Sequence, residues 1–395
     1  MRLAASLLFS SAIAAIAFEW PQLLGPARNG VSPEPAKLSL QKPRLLWKKQ
    51  VGAGFSSPVV AGGKLILFHR QADKEIVECM NARTGERIWA FEYATAYRDD
   101  FGFDEGPRGT PTVSNGRVYT HGAEGVLHAL DLSTGRKLWR VDTYSKFGVR
   151  KGFFGAAASP LVGDAVYLNV GGLAAFDKSD GKVLWTATSD EAGYSSPISA
   201  TIAGKLTILC FTRAGLLGVD PGNGKVRFQF PWRSRSHASV NAALPVVVGD
   251  LVFVSASYST GAAVVDLGGS APKVVWSLDD TLSNHYATSV HKDGFLFGYH
   301  GRQEMGQSLR CIEFRTGKVR WSVDDFGAGT VTLLGGKLLL IREGGEAVLA
   351  AASAEGFRPE SRTQLLPGVV RSYPAIAGSV VYLRNTETLA AYGLN

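Results

Sequence analysis

Residues 131–139 read Asp131-Leu132-Ser133-Thr134-Gly135-Arg136-Lys137-Leu138-Trp139. The alternating residues Val126–Leu130 predict a strand before this stretch, and Lys137–Val141 predicts a returning strand after it. The Ser-Thr-Gly triplet between them predicts a tight turn, because glycine reaches positive φ without steric strain. On its own, this part of the chain therefore predicts a β-hairpin.

The same pattern recurs along the chain. An acidic or amide residue, a turn glycine, a basic residue and an aromatic residue return about every 42–50 positions. The further copies are Asn81–Trp89, Asp177–Trp185, Asp220–Phe228 and Glu313–Trp321, together with Asp266–Trp276, which carries an insertion. A period of this size, with four short strands in each unit, is typical of a β-propeller.

Six of the repeats open with a short segment that contains a proline. The segments are Ser57-Pro58, Thr110-Pro111, Ser159-Pro160, Ser196-Pro197, Leu244-Pro245 and Tyr373-Pro374. Proline cannot donate a hydrogen bond to a neighbouring strand, so it belongs on the edge of a sheet. We place these segments on the innermost strands, facing a central channel. Counting the glycine turns that follow the inner strands of all the repeats predicts eight blades, or seven if the degenerate repeat near Phe357–Thr363 is miscounted.

The last repeat, Ser372–Leu394, ends after three strands. The missing outer strand is supplied by Arg44–Lys49, which precedes the first inner strand and contains Trp47. Pairing the two ends of the chain closes the ring and removes exposed sheet edges. We therefore predict an all-β fold, an eight-bladed β-propeller of four-stranded antiparallel blades that spans residues 44–395.

The first residues have the features of a targeting segment. Met1-Arg2 is a short charged start, Leu3–Ile16 is apolar, and Ala15–Ala17 offers a cleavage site, which predicts a signal peptide over residues 1–17. Residues 18–43 would follow as an extended leader. No cysteine lies near the cleavage site, and no later stretch is apolar and long enough to span a membrane. We expect an exported, soluble, monomeric protein of the periplasm or the extracellular space, without a lipid anchor.

Charge and cysteine usage exclude several classes of function. The net charge is +8, and many of the lysines and arginines lie at the turns before the outer strands, where a solvated rim is the simpler interpretation than a nucleic-acid site. Cys79 and Cys311 precede a turn glycine by six residues, a position that holds small residues in other repeats. Cys210 lies in an apolar strand of a third repeat. We therefore expect neither a disulfide framework nor a metal cluster.

The repeat Asp-x-x-x-Gly-Lys-x-Leu-Trp resembles the pyrroloquinoline-quinone-type propeller repeats. These repeats occur in quinoprotein alcohol dehydrogenases and in the noncatalytic propeller lipoprotein of the bacterial outer-membrane β-barrel assembly machinery. The segment Trp20–Gly30 also resembles the leader found in bacterial proteins of this superfamily, so the resemblance covers nearly all of residues 20–395. It implies the architecture and says little about chemistry, because the tryptophan and glycine serve packing and turning.

The expected position of a functional site follows from the loops. Loops between consecutive blades and loops between the second and third strands share one face, and they are long and rich in side chains. We call it the long-loop face. The candidate ligand- or partner-binding residues there are Arg70, Arg98, Arg108, Phe153, Phe154, Trp232, Arg233, Arg235, His237, His285, Tyr286, His300 and Arg302. Arginines mixed with aromatic residues suit an anionic aromatic ligand or the peptide of a partner.

Metal and catalytic motifs are scarce. Asp99, Asp100, Asp104 and Glu105 are candidates for calcium binding, but their spacing matches no calcium loop, so the sequence favours a solvated loop and predicts no metal site. The sequence holds no adjacent cysteine pair, no C-x-x-C-H haem motif, no H-E-x-x-H and no G-x-S-x-G. We therefore predict no catalytic residue and expect no cofactor.

These observations favour a noncatalytic scaffold that binds a protein or peptide partner in the cell envelope, as in outer-membrane protein assembly. The alternative is a small-molecule site for pyrroloquinoline quinone and calcium, or a quinoprotein dehydrogenase, on the long-loop face. Trp232, Arg233, Arg235 and His237 packed around a pocket would favour the alternative. A flat, apolar channel rim would favour the scaffold.

Overall fold

The structure is a computed structural model that describes residues 19–32, 39–191, 193–236 and 240–394. The predicted signal peptide and His237 lie outside the described residues. Strands β1 (Val31–Ser32) and β2 (Arg44–Gln50) come first. The helices of the described part are α1 (Thr143–Phe147) and a 3-10 turn, Gln303–Met305. Neither has the length or the apolar run that crossing a bilayer would require.

The remaining strands form the blades in chain order. Blades 1 and 2 contain β3–β6 (Val59–Ala61, Lys64–Gln71, Lys74–Asn81, Arg87–Ala94) and β7–β10 (Thr112–Ser114, Arg117–His121, Val126–Asp131, Lys137–Asp142). Blades 3 and 4 contain β11–β14 (Leu161–Val162, Val166–Asn169, Leu173–Phe176, Val183–Ala187) and β15–β18 (Ile198–Ile202, Lys205–Phe211, Gly215–Val219, Val226–Pro231).

Blades 5 and 6 contain β19–β22 (Val246–Val248, Leu251–Ala256, Gly261–Asp266, Lys273–Leu278) and β23–β26 (Val290–Lys292, Phe295–His300, Ser308–Glu313, Val319–Val323). Blade 7 contains β27–β30 (Gly329–Leu334, Lys337–Arg342, Glu346–Ala351, Pro359–Gln364). Blade 8 contains β31–β33 (Ala375–Ala377, Val380–Arg384, Thr388–Gly393) together with β2.

The topology confirms the prediction of eight blades and rules out seven. Within each blade the consecutive strands pair antiparallel, from the inner strand to the outer strand. In blade 8 the order is β2-β33-β32-β31, with Arg44 opposite Gly393 and Gln50 opposite Thr388. The strand that contains Trp47 therefore closes the ring as the sequence predicts, and the two ends of the propeller are held in one sheet.

The repeated tryptophan and glycine connect neighbouring blades. Trp89 of blade 1 donates a hydrogen bond from Nε1 to the carbonyl of Leu132 in blade 2, at 3.0 Å. Its ring lies against Gly135, the turn glycine of that blade. Trp139 makes the equivalent bond to the Lys178 carbonyl of blade 3, at 2.9 Å. The two residues of the motif thus meet across a blade boundary, which explains why they recur together.

Apolar side chains fill the space between the sheets. Between blades 1 and 2, for example, Phe68 and Cys79 pack with Val118 and Leu130 at zero exposure. Removing these surfaces from water is the main force that holds one blade against the next. All three cysteines are buried and unpaired in the described structure, each acting as a small apolar side chain.

The leader has a tertiary role that the sequence did not predict. Trp20 exchanges two backbone hydrogen bonds with Val60 of the innermost strand of blade 1, each at 2.9 Å. Farther along, β1 pairs parallel with β27, with Val31 opposite Leu333. Residues 19–32 therefore cross the central channel from blade 1 to blade 7. The crossing lies at the end of the channel where the inner strands lead into the short glycine turns. The leader therefore closes the channel at the end opposite the long-loop face.

Candidate functional site

The inner strands are joined around the channel by hydroxyl groups. The backbone N–H of Ser57 donates to Oγ1 of Thr110 at 3.1 Å, and the N–H of Thr110 donates to Oγ of Ser159 at 2.8 Å. The N–H of Ser159 in turn donates to Oγ of Ser196 at 2.8 Å. Each hydroxyl belongs to the residue before the inner-strand proline. The small hydroxyl residues of the sequence pattern therefore link blades 1 to 4 in series.

Side chains of an extended segment alternate in direction, so the residue two positions before each hydroxyl residue points the same way. That position lies three residues before the proline. It is occupied by Phe55, Arg108, Ala157, Tyr194, Ala242 and Arg371, and all six line one cavity at the mouth of the channel. Tyr286 lies at the corresponding place in blade 6, which has no proline.

The cavity has a volume of about 530 Å³ and opens on the long-loop face. Its lining includes Leu23 of the leader, which crosses the channel below the loops. The channel is therefore closed at one end and accessible from the other. We call this cavity the funnel.

One side of the funnel, formed by loops of blades 1 to 3 and the loop that enters blade 1, is aromatic. Phe101 and Phe103 have ring centroids 6.0 Å apart and are stacked, and Phe154 lies 5.5 Å from Phe101. Phe55 also lines this side. Phe101 and Phe103 remain 53% and 55% exposed, although large apolar side chains are usually buried. This aromatic wall is thus an apolar surface open to a partner.

Arg108 stabilises the aromatic wall from within. Its guanidinium donates to Asp99 at 2.5 Å, to the Asp104 carbonyl at 3.2 Å and to the Phe154 carbonyl at 3.3 Å. A further bond of 3.3 Å reaches the hydroxyl of Tyr97. These bonds tie the loop 97–108 to the next interblade loop. Because both terminal nitrogens are engaged, Arg108 acts as a structural tie.

The opposite side of the funnel, formed by loops of blades 5 to 8, is polar. The N–H of Gln303 donates to Nδ1 of His285 at 3.3 Å, so the ring proton of the neutral imidazole lies on Nε2 and points to the Tyr258 hydroxyl, 3.3 Å away. Burial lowers the pKa of His285, which favours this neutral form. The guanidinium of Arg302 stacks 4.3 Å above the Tyr258 ring. We call this side the polar wall.

Several donors of the polar wall lack acceptors. Arg302 Nε and the Tyr286 hydroxyl are buried and have no hydrogen-bond partner among the described residues. Arg371 donates from Nε to Glu343 at 2.5 Å, and its guanidinium lies between the rings of Phe55 and Phe103, at 5.2 and 5.3 Å. A buried donor without an acceptor is energetically unfavourable, so these groups favour a ligand that supplies one.

The structure brings five of the sequence-predicted residues to the funnel: Arg108, Phe154, His285, Tyr286 and Arg302. Three others have structural roles outside it. Arg70 is buried and donates to the carbonyls of Tyr97 and Glu105, at 2.7 and 3.0 Å. Arg98 is exposed and pairs with Glu105 at 3.4 Å. His300 accepts the N–H of Ser283 at 3.1 Å, and burial lowers its pKa to about 4.

The loop after blade 4 lies apart from the funnel. Trp232 stacks on Phe230 at 5.7 Å, Arg233 pairs with Glu191 at 2.9 Å, and Arg235 is exposed. None of these three residues lines the funnel, so the arrangement expected for the small-molecule alternative is not formed by them. Phe153 lines a second cavity of about 770 Å³ next to the funnel, between loops of blades 2 and 3.

Sequence reasoning missed much of the funnel. It named neither the exposed phenylalanines nor the polar residues that complete the two walls: Phe55, Phe101, Phe103, Tyr194, Tyr258, Glu304, Arg371 and Tyr373. A signal for three of them was present, because Phe55, Tyr194 and Arg371 share the position three residues before an inner-strand proline. Tyr373 directly precedes the inner-strand proline Pro374, and the remaining residues lie on loops without a repeated pattern.

The funnel residues do not fit a quinone held by calcium. Calcium takes six to eight oxygen ligands, commonly with several carboxylates. The funnel lining supplies one carboxylate, that of Glu304, and it is paired with Arg302. Of the acidic candidates, Asp99 binds Arg108, Asp104 accepts two backbone N–H groups, and Asp100 pairs with Lys151. The described residues contain no group of three or more His, Cys, Asp and Glu side chains placed to share a metal ion.

Comparison with solved structures shows that the chain shares its fold with both kinds of protein in which the repeat occurs, an outer-membrane assembly factor and a quinoprotein alcohol dehydrogenase. The structure of BamB from Moraxella catarrhalis matches with a TM-score of 0.67 and 14% identity, over 89% of this chain and 100% of that chain. The quinohemoprotein alcohol dehydrogenase from Comamonas testosteroni matches with a TM-score of 0.69 and 12% identity, over 95% and 80%. At such low identity these similarities show the propeller fold alone.

Sequence comparison identifies the family. The outer membrane protein assembly factor BamB of Yersinia pestis is 22% identical over 379 residues, which is 91% of this chain and 82% of the relative. The profile of the family described as outer membrane protein assembly factor BamB matches residues 72–323, more than half of the chain. The predicted resemblance is thereby confirmed. The chain belongs to the family of the outer membrane protein assembly factor BamB.

Proposed function

We propose that this protein is an exported, noncatalytic scaffold of the cell envelope that binds a segment of a partner protein in the funnel and supports outer-membrane protein assembly. The observation that carries the proposal is the exposure of Phe101 and Phe103 at the mouth of an apolar cavity. Exposed aromatic residues around a concave apolar centre are typical of surfaces that bind proteins or peptides. The apolar segment of residues 1–17, with the features of a signal peptide, supports export.

A complementation experiment tests the scaffold role. Cells that lack the gene should contain less folded outer-membrane β-barrel protein, measured by heat-modifiable migration in gels, and the wild-type gene should restore it. The double variant Phe101→Ser, Phe103→Ser should fail to restore it, because the aromatic surface is lost. Leu184→Ser is the matched control, since Leu184 is 52% exposed on an outer strand away from the funnel. Full restoration by the double variant at normal abundance would contradict the proposal.

The noncatalytic character has its own test. Calorimetric titration of the purified protein with pyrroloquinoline quinone and calcium should show no binding heat, and a dye-linked alcohol oxidation assay should show no reduction of the dye. The physical reason is the absence of a carboxylate cluster in the funnel lining. Calcium-dependent quinone binding at micromolar concentration would instead support the dehydrogenase alternative.

A further inference from the structure

We infer that the funnel recognises an acidic-aromatic peptide segment, in which an aromatic side chain lies next to a carboxylate. This inference deepens the proposed function and rests on it, because it names the chemistry of the segment that the scaffold binds. It follows from the different composition of the two walls, which face each other across about 530 Å³.

The aromatic wall favours the aromatic side chain of the peptide. Phe101, Phe103 and Phe154 offer ring faces and edges within 5.5–6.3 Å of one another, so a further ring can join the cluster in a tilted or stacked arrangement. Such aromatic pairs attract one another beyond what the burial of apolar area alone contributes. Arg108, which lies within this wall, has both terminal nitrogens engaged by Asp99 and by backbone carbonyls, whereas Arg371 reaches the wall from the polar side, over the rings of Phe55 and Phe103. This side therefore favours an aromatic group without charge.

The polar wall favours the carboxylate of the peptide. Arg302 Nε is a donor without a partner among the described residues, and arginine has no acceptor atoms. The Tyr286 hydroxyl is likewise unpartnered, and the Tyr258 oxygen accepts the Nε2–H of His285, which leaves the hydroxyl proton of Tyr258 available for donation. Arg371 adds a second guanidinium, with its Nε on Glu343. Arg302 pairs with Glu304 through a terminal nitrogen, yet the cavity lining holds three arginines against this one carboxylate, and Arg302 Nε and the Tyr286 hydroxyl still lack acceptors. This excess of donors matches a carboxylate of the ligand.

The size and exposure of the site favour a peptide over a small molecule. Small-molecule sites bury most of the ligand, whereas Phe101 and Phe103 extend the apolar surface beyond the cavity and are more than half exposed. An extended segment can place one aromatic side chain in the funnel and cover the rim with its neighbours. The carboxylate can come from an Asp or Glu side chain or from a chain terminus, and both provide the same pair of acceptor oxygens.

Fluorescence anisotropy with short dye-labelled peptides tests the inference on the purified protein. Four probes share a Gly-Ser frame: one carries Asp-Phe-Asp inside an amidated peptide, one carries Asn-Phe-Asn, one carries Asp-Leu-Asp, and one ends in Phe with a free carboxylate. We expect the Asp-Phe-Asp probe to bind about tenfold or more tightly than the Asn and Leu probes, because each loses one half of the recognition. Tight binding of the fourth probe alone would assign the carboxylate to a chain terminus.

Arg302→Gln separates recognition from a general loss of structure. The variant should lower the affinity for the Asp-Phe-Asp probe about tenfold and leave the affinity for the Asn-Phe-Asn probe unchanged. A folding defect would instead lower the affinity for both probes. Leu184→Ser should change neither. Equal binding of the Asp and Asn probes to wild-type protein would overturn the inference, whatever the variants do. If the purified protein shows the expected peptide selectivity but the wild-type gene does not restore outer-membrane protein folding in cells, the scaffold role is overturned and the peptide inference stands. The two failures are therefore distinguishable.

Discussion

The ring of Trp89 lies against Gly135 of the following blade, so closely that a Cβ atom on this glycine would lie 2.5 Å from Cε3 of the indole. Gly135 also has φ +73°, in the left-handed region. One glycine thus meets two requirements, the conformation of the turn and the space for the neighbouring ring. The contact joins two repeats that the sequence pattern describes separately.

Gly135→Ala should destabilise the propeller by about 2–4 kcal/mol, since left-handed strain and overpacking against Trp89 each contribute about 1–3 kcal/mol. Urea unfolding measures the change. Gly116→Ala is the matched control, because Gly116 has the same φ of +73° and open space around its Cα. Gly116→Ala should reduce the free energy of unfolding by only about 1 kcal/mol, because it adds strain in the turn without a clash. Equal losses in the two variants would show that the tryptophan contact contributes nothing.

Arg28→Met should release the leader from the channel. The buried guanidinium of Arg28 donates to the carbonyls of Pro160 and Pro197, at 2.5 and 2.6 Å, and holds the leader against blades 3 and 4. The Pro160 carbonyl keeps the hydrogen bond from the Thr112 hydroxyl, and leaving the Pro197 carbonyl unsatisfied should cost about 1–3 kcal/mol. Limited proteolysis should then cut within residues 19–32 faster than in wild-type protein. Arg83→Met, at an exposed turn, is the control. Unchanged protection in Arg28→Met would contradict an anchoring role.

Ser159→Ala should weaken the hydroxyl connection between blades 2 and 3. The variant leaves the buried N–H of Thr110 without its acceptor, which should reduce the free energy of unfolding by about 1–3 kcal/mol. Hydrogen exchange at the Thr110 amide should accelerate, as measured by NMR or mass spectrometry. Ser145→Ala on the exposed face of α1 should have no such effect. Normal protection of that amide would mean that another acceptor or water replaces the hydroxyl.

His128 should make the stability of the protein depend on pH. Its ring is packed between Phe91 and Tyr93, at 5.1 and 4.5 Å, and burial lowers its pKa to about 3. The unfolded chain takes up a proton near pH 6.5 while the native ring stays neutral, so this stability is complete above pH 6.5 and is lost as the pH falls towards 3. Between pH 7 and 5 the contribution is about 2 kcal/mol.

His128→Phe removes this titration and keeps an aromatic ring in an apolar environment. The difference in unfolding free energy between pH 7 and 5, measured by urea titration at both values, should therefore be smaller in the variant by about 2 kcal/mol. The other buried histidines remain in both proteins and cancel in the comparison. An identical pH dependence would show that His128 is protonated in the native state or is accessible to water.

The two walls of the funnel show which parts of a site the sequence can predict. Arg302 and Tyr286 are sequence candidates as residues of the long-loop face, and both line the funnel. Trp232 had the same character and lies elsewhere, because its loop folds back onto Phe230. Loop composition indicates which side chains can bind, whereas the path of each loop decides which of them meet.

By itself, the sequence determined the number of blades, the order of their strands and the closure of the ring near Trp47. These features follow from short-range patterns that repeat along the chain: a glycine at the tight turns, a proline at the inner edge of six blades and an aromatic residue on most outer strands. Only the tertiary structure decided the course of the leader, the closed end of the channel and the unequal walls of the funnel. Arg28 bonds to Pro197, and Arg371 meets Phe55, across separations of more than 150 residues that no local pattern records.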